Sequence, residues 1–228
     1  MINVPENTAL HEFPSVRMVK VKICGITNWT DARRAVEAGA DFLGFNFYPP
    51  SPRYIAPAKA RRIVRRLPGR ISVVGVFVNA PEKKILSIAR SVGLDYLQLH
   101  GEESPELISR LKRFVPVIKA VRVQKSFRLA QLAPYKRAAA ILLDGFHPRR
   151  HGGTGRKFDW GVARRSRRSA RIFLAGGLTP QNIADAIRAA VPYAVDVCSG
   201  VESRPGKKDP ARVVSLIRAV RTADRRPR

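Results

Sequence analysis

The chain has 228 residues, 45% of them hydrophobic, and 43 Lys and Arg against 17 Asp and Glu give it a formal charge of +26. One barrel-sized domain fits that length, no apolar run approaches the ~18 residues of a membrane span, and residues 1–17 lack the basic head and apolar core of a secretory signal. Two cysteines, Cys24 and Cys198, make no disulfide framework and have no Cys or His at metal-ligand spacing, so a reducing cytoplasm is the simplest home.

Residues 1–18 are expected to be a poorly ordered extension, with a single folded domain over 19–228. Strand-like apolar runs, rich in β-branched residues, fall at 19–24, 42–47, 72–78, 96–100, 117–123, 139–144, 172–175 and 194–198. Amphipathic helical patterns follow at 31–38, 57–67, 81–92, 105–114, 126–132, 158–164, 179–190 and 210–220. Thr30, Ala56-Pro57, Ser104-Pro105 and Thr179-Pro180 supply cap or first-turn proline signals. The strands read as nearly continuous apolar runs, as expected when both faces of a parallel sheet are covered. Eight βα units of this kind predict an α/β protein, a single (β/α)8 TIM barrel. An open doubly wound sheet is the rival, but Cys24-Gly-Ile-Thr27 after the first strand is no G-x-G-x-x-G.

The basic excess recurs around the whole chain, at Arg33-Arg34, Arg61-Arg62, Arg65-Arg66, Lys83-Lys84 and Arg164-Arg165, without interleaved aromatics. It reads as a solvated outer ring of helices, and no dedicated nucleic-acid site is expected. Such a field would still concentrate anions.

In a barrel of this class the chemistry sits at the C-terminal ends of the strands. Gly176-Gly177 ends the seventh strand and Ser199-Gly200 the eighth. Isolated Gly-Gly pairs are usually turns, but paired glycine turns on these two strands suit backbone N–H groups closing on a phosphate. A lone Cys in an apolar strand is more often inert core, and an Asp after Ile-Leu-Leu more often a turn cap. Cys24 and Asp144, however, end strands one and six and would flank one substrate as base and acid. Arg53 follows Pro49, Pro50 and Pro52, which stiffen its approach, and a guanidinium held there suits a carboxylate. Gly152-Gly153-Thr154-Gly155, in the long loop after Asp144, lacks the Gly-Lys-Ser/Thr ending of a nucleotide loop and reads as a lid. His147 and His151 read as exposed loop histidines.

From Val19 to the last helix the chain resembles phosphoribosylanthranilate isomerase of tryptophan biosynthesis. The resemblance rests on Lys-Ile-Cys24-Gly-Ile-Thr, Ser51-Pro-Arg-Tyr54, Gln98-Leu-His-Gly101, Leu-Leu-Asp144, Leu-Ala-Gly176-Gly-Leu-Thr-Pro and Ser199-Gly-Val-Glu202 with Pro205-Gly-Lys-Lys-Asp209. It implies an Amadori rearrangement of N-(5-phosphoribosyl)anthranilate without metal or organic cofactor. Asp144 would be the general acid and Cys24 the base. Arg53 would grip the anthranilate carboxylate, and Gly176, Gly177, Ser199 and Gly200 would surround the phosphate. The family often has Ser-Ser-Gly where this chain has Cys198-Ser199-Gly200. A dual-substrate isomerase serving histidine and tryptophan synthesis is the rival, but the loop after the fourth strand has no matching Gly-Gly turn. A basic barrel drifted into RNA binding is a further rival, which the presence of Cys24, Asp144 and Arg53 disfavours. The implied partner is a small phosphorylated sugar-anthranilate, with no membrane, and the assembly is read as monomer or homodimer.

Overall fold

The computed structural model describes residues 18–124, 126–145 and 159–224. Parallel strands close into a barrel in sequence order: β1 (Lys20–Cys24), β2 (Phe42–Asn46), β3 (Ser72–Phe77), β4 (Tyr96–Leu99), β5 (Val117–Val123), β6 (Ala140–Gly145), β7 (Ile172–Leu174) and β8 (Ala194–Val197). The helices are α1 (Trp29–Ala38), α2 (Pro57–Val64), α3 (Glu82–Val92), α4 (Pro105–Leu111), α5 (Trp160–Ser166), α6 (Ile183–Ala190) and α7 (Pro210–Asp224). Every predicted strand is present to within one residue at either end.

Strand parity explains the continuous apolar runs. One set, including Val21, Ile23, Leu43, Phe45, Leu97, Leu99, Leu143, Leu174 and Val195, belongs to the large core that also takes in buried helical residues such as Ala35, Ile85 and Ile187. The other set, Phe42, Val74, Ile118, Ala120, Leu142, Phe173 and Ala194, forms a separate core inside the barrel. Phe42 packs edge-on against Tyr96 and Phe173, with centroids 5.8 and 5.4 Å apart. Two inward positions break this apolar filling. Lys22, which is fully buried, lies in register with Phe42 on one side and Asp196 on the other.

Three predicted helix features differ. The cap of α1 is Asn28, whose side chain accepts from the Asp31 N–H, so the helix begins before Thr30. α6 starts at Ile183, later than Thr179-Pro180 suggested, because Asn182 Oδ1 accepts from the Thr179 N–H (2.9 Å) and holds the preceding stretch as turn. The segment predicted as a helix over 126–132 is a 3₁₀ run, Leu129–Tyr135, with Pro134 inside it. A proline there removes a donor and blocks a regular α-turn.

Two tethers fix loops at the C-terminal rim. Lys119, buried on the outward face of β5, donates to Glu103 Oε2 (2.8 Å) and to the Leu99 and Gly101 carbonyls (3.3 and 2.6 Å). Glu103 Oε1 also accepts from the Asn79 N–H (3.0 Å), so the loops after β3 and β4 share one buried ion pair. After β8 comes a 3₁₀ turn, Ser199–Val201, and then an antiparallel hairpin of β9 (Glu202–Arg204) and β10 (Lys207–Lys208) that the sequence pattern did not announce. It is laced to the first βα loop by Thr27 Oγ1 to the Gly206 carbonyl (2.6 Å) and by the Lys208 N–H to Asp31 (2.8 Å).

The arginine and lysine pairs of α1, α2, α3 and α5 are all exposed, as a solvated ring requires. No helix among the described residues is long and apolar enough to cross a membrane. The expected extension, of which Met18 alone is described, and the expected lid at 152–155 with His147 and His151 lie outside the described residues.

Candidate active site

The C-terminal strand ends surround a cleft with about 730 Å³ of atom-free space, part of it open to solvent. Cys24, Arg53, Asp144, Gly176, Gly177, Ser199 and Gly200, chosen from different parts of the sequence, all line it.

Cys24 ends β1, two residues beyond Lys22, so period-2 geometry turns both toward the barrel interior. Gly44 on β2 gives them room: a Cβ there would lie 2.8 Å from Cys24 Sγ and 2.9 Å from Lys22 Nζ. Lys22 Nζ donates to Asp196 Oδ1 at 2.8 Å. Burial works against its charge, but Asp196 and Cys24 outweigh that and hold its pKa above the ordinary lysine value. Asp196 is held up to about 6, burial outweighing the pull of Lys22. The Cys24 thiol lies well below the ordinary thiol range. The largest cause is a hydrogen bond from the Cys198 thiol; burial opposes it, and the Lys22 and Lys208 charges reinforce it. Cys198 is pushed the other way, first by that same bond and then by burial, and stays a thiol. A thiolate is the form that can take a proton.

Asp144 faces the cleft from β6 and is buried, with Oδ1 lacking a hydrogen-bond partner among the described residues. Its neighbour is His100, whose Nε2 stands 3.4 Å from Asp144 Oδ2, close enough for an ion pair but without hydrogen-bond geometry. The Gln98 amide lies 2.8 Å from His100 Nδ1. With the amide nitrogen donating, the ring proton sits on Nε2, beside the carboxyl but outside hydrogen-bond geometry with it. Gln98 Oε1 and His100 Nε2, like Asp144 Oδ1, have no partner among the described residues. Buried polar atoms are normally paired, so three orphans at one rim mark a place where a ligand completes the bonding.

Arg53 reaches the cleft but is not held by prolines alone. Its Nε and Nη2 donate to the Glu202 carboxylate (3.0 and 2.7 Å), and Ser51 Oγ accepts from its N–H (3.2 Å). Glu202 also accepts from Lys208 Nζ at 2.9 Å. Burial alone would raise the Glu202 carboxyl; the bonds from Arg53 and Lys208 hold it below the ordinary glutamate value.

Across the cleft, Gly176 and Gly177 take φ of 86° and 63°, the left-handed region that glycine enters without strain. Asn182 Nδ2 donates to the Gly177 carbonyl (2.8 Å), fixing the turn. Gly200 packs so closely that a Cβ would overlap the Leu178 carbonyl oxygen. Gly200→Ala should therefore pry the loops after β7 and β8 apart, costing about 1–3 kcal/mol of stability as overpacking does. Inorganic phosphate should then protect the variant against thermal unfolding less than it protects the parent. Equal protection of both would mean that these loops hold no phosphate.

Sequence reasoning missed Lys22, Asp196, Glu202 and Lys208, and placed His100 and Cys198 at strand ends without a role. Lys22 was the most findable, since its spacing from Cys24 already puts the two side chains on one face.

A (β/α)8 barrel with a cysteine and a buried carboxyl lining one cleft, under glycine loops, has the arrangement of a barrel enzyme of the isomerase kind. The family model for N-(5'-phosphoribosyl)anthranilate isomerase matches residues 21–219. With that match over most of its length, the chain belongs to the phosphoribosylanthranilate isomerase family. The isomerase of Citrifermentans bemidjiense is 54% identical over 200 residues, covering 88% of this chain and 96% of the relative. The solved isomerase of Thermotoga maritima superposes with a TM-score of 0.85 at 46% identity, covering 90% of this chain and all of that one. A further solved isomerase, bound to reduced 1-(o-carboxyphenylamino)-1-deoxyribulose 5-phosphate, gives a TM-score of 0.82 at 45% identity over the same shares.

Proposed function

We propose that this chain isomerises N-(5-phosphoribosyl)anthranilate to 1-(2-carboxyphenylamino)-1-deoxyribulose 5-phosphate, with Asp144 as general acid and Cys24 as general base. The observation that carries the assignment is the pair itself, the Asp144 carboxyl at the end of β6 and the Cys24 sulfur at the end of β1, both lining one cleft. Asp144 gives its proton to the ribose ring oxygen, the C1–O bond breaks, and the anilino nitrogen stabilises the open chain as an iminium. The Cys24 thiolate then removes the proton from C2, and the resulting enolamine tautomerises to the ketose. His100 stands beside the acid, its Nε2 3.4 Å from Asp144 Oδ2.

Glu202 already takes the Nε–H and one Nη2–H of Arg53, so the Nη1 hydrogens and the second Nη2–H are the donors left for the anthranilate carboxylate. The backbone around Gly176, Gly177, Ser199 and Gly200 takes the phosphate. Each step uses side chains of this chain, one catalytic domain over 19–228, and needs neither metal nor organic cofactor. We place it in the cytoplasm, whose reducing poise returns cysteines to free thiols. One solved structure is described as generated monomers of the dimeric isomerase from Thermotoga maritima, and we carry both monomer and homodimer forward for this chain.

Turnover is read as loss of phosphoribosylanthranilate fluorescence. The expected result is saturable turnover that survives EDTA. Arg53→Ala should raise KM roughly 10–100-fold, the loss of a charge-assisted hydrogen bond, with a smaller change in kcat. No turnover by the parent would sink the assignment; an unchanged KM in the variant would remove Arg53 from carboxylate binding.

A further inference from the structure

The proposed isomerisation uses one of two thiols, and the other faces it. β1 and β8 are parallel neighbours paired at Ile23–Val197, Cys24 ends β1 and Cys198 directly follows β8, and Cys198 Sγ lies 3.0 Å from where a Cβ on Gly25, the residue after Cys24, would stand. Both are free, half-buried and line the cleft. Parallel neighbours run about 4.8 Å apart, inside the Cα separation of about 4.4–6.8 Å that a disulfide spans. The ladder ends at Val197, and Cys198 (φ −123°, ψ −83°) has already left strand geometry, so its backbone is not pinned by sheet bonds. Lys208 Nζ stands 3.8 Å from Cys198 Sγ.

We propose that Cys24 and Cys198 form an oxidisable dithiol, a modification site at which a hydroperoxide converts the cleft to an intramolecular disulfide. The Cys24 thiolate attacks one oxygen of hydrogen peroxide; the O–O bond breaks and hydroxide leaves. Cys24 is oxidised to a sulfenic acid and the peroxide is reduced. That step removes the Cys24 negative charge that kept Cys198 protonated; the Glu202 carboxylate, 3.8 Å from Cys198 Sγ, can take its proton, and Lys208 and Arg53 favour the thiolate. The Cys198 thiolate then attacks the sulfenyl sulfur, the S–O bond breaks, and the oxygen departs with a proton as water. The disulfide abolishes the thiolate at position 24, and a dithiol reductant restores it by exchange.

The inference goes beyond the isomerase reading and can be tested without substrate. The chain has just two cysteines, so an intramolecular disulfide has a single possible pairing. Full-length protein is treated with hydrogen peroxide, denatured with an alkylating reagent and digested, and the peptides holding Cys24 and Cys198 are weighed apart from those holding Met1 and Met18. The expected product has lost about 2 Da, takes up no alkyl group, and regains both thiols with dithiothreitol. Cys198→Ser should instead gain about 16 or 32 Da at Cys24 and become resistant to dithiothreitol as oxidation proceeds to the sulfinic acid. Parent protein that gains oxygen as the variant does, keeps both thiols, or cross-links only between chains overturns the proposal.

Discussion

Cys24→Ala and Asp144→Ala will each lower kcat by about 10²–10⁴-fold, the range lost with a positioned acid or base, while KM changes little. The two variants should fail at different steps. Without Asp144 the ribose ring opens slowly, so substrate deuterated at C2 reacts almost as fast as protiated substrate. Without Cys24 the C2–H bond is broken without a positioned base, so the isotope effect approaches its full value. Because the steps lie in series, the double variant should be little slower than the slower single. A kcat within tenfold of the parent for either single variant would remove that residue from the mechanism.

Stability separates these losses from simple unfolding. Asp144 Oδ1 is buried without a partner among the described residues, and an unpaired buried acceptor costs about 1–3 kcal/mol. Asp144→Ala should therefore melt no lower than the parent, and a higher Tm is expected. A residue that lowers the melting point while serving turnover has the signature of a functional site that breaks packing rules. A lowered Tm together with lowered kcat would recast Asp144 as a structural residue.

What could be read in the sequence follows the same physics. The eight strands were legible because a buried parallel sheet demands apolar residues on both faces, and Cys24 and Asp144 became a pair once the barrel placed their strand ends on one rim. The spacing from Cys24 puts Lys22 on the same face, but the carboxylate that pairs with it there is not legible from that spacing. The role of Lys22 depends on Asp196, 174 residues later, which only the closure of β8 onto β1 brings to it. Glu202 was hidden likewise: the sequence shows prolines before Arg53, but its carboxylate partner comes from a hairpin 149 residues away. The 3₁₀ run at Leu129–Tyr135 is shifted from the helix expected over 126–132, because it extends past Leu132 through Pro134, which forbids a regular helix there.

Lys22→Met tests the cation that the sequence could not name. Lys22 is fully buried, and its ammonium pairs with Asp196 on one side and favours the Cys24 thiolate on the other. Removing one partner of a buried pair leaves the other uncompensated, at about 3–5 kcal/mol. That loss has a pH dependence of definite sign. The Asp196 carboxyl already sits at about 6 in the folded protein, above its ordinary 3.8, and without Lys22 it moves higher. A carboxyl raised on folding stabilises the native state below its unfolded pKa and ceases to as pH rises through the folded pKa. The parent therefore completes this loss near pH 6, whereas the variant goes on losing stability above it. Urea midpoints of parent and variant should lie closest near pH 5 and diverge toward pH 8. Kinetics supply the second reading. With Lys22 present, the acid limb of kcat/KM lies well below the ordinary thiol range near ~8.5; in the variant it should move upward, so that activity lost at pH 7 returns in part at pH 9. Mere loosening of the barrel would lower kcat/KM across the profile without moving its limb. An unmoved limb in a folded variant would leave the Cys198 thiol and Lys208 as the groups that hold Cys24 ionised, and Lys22 as a structural partner of Asp196 alone.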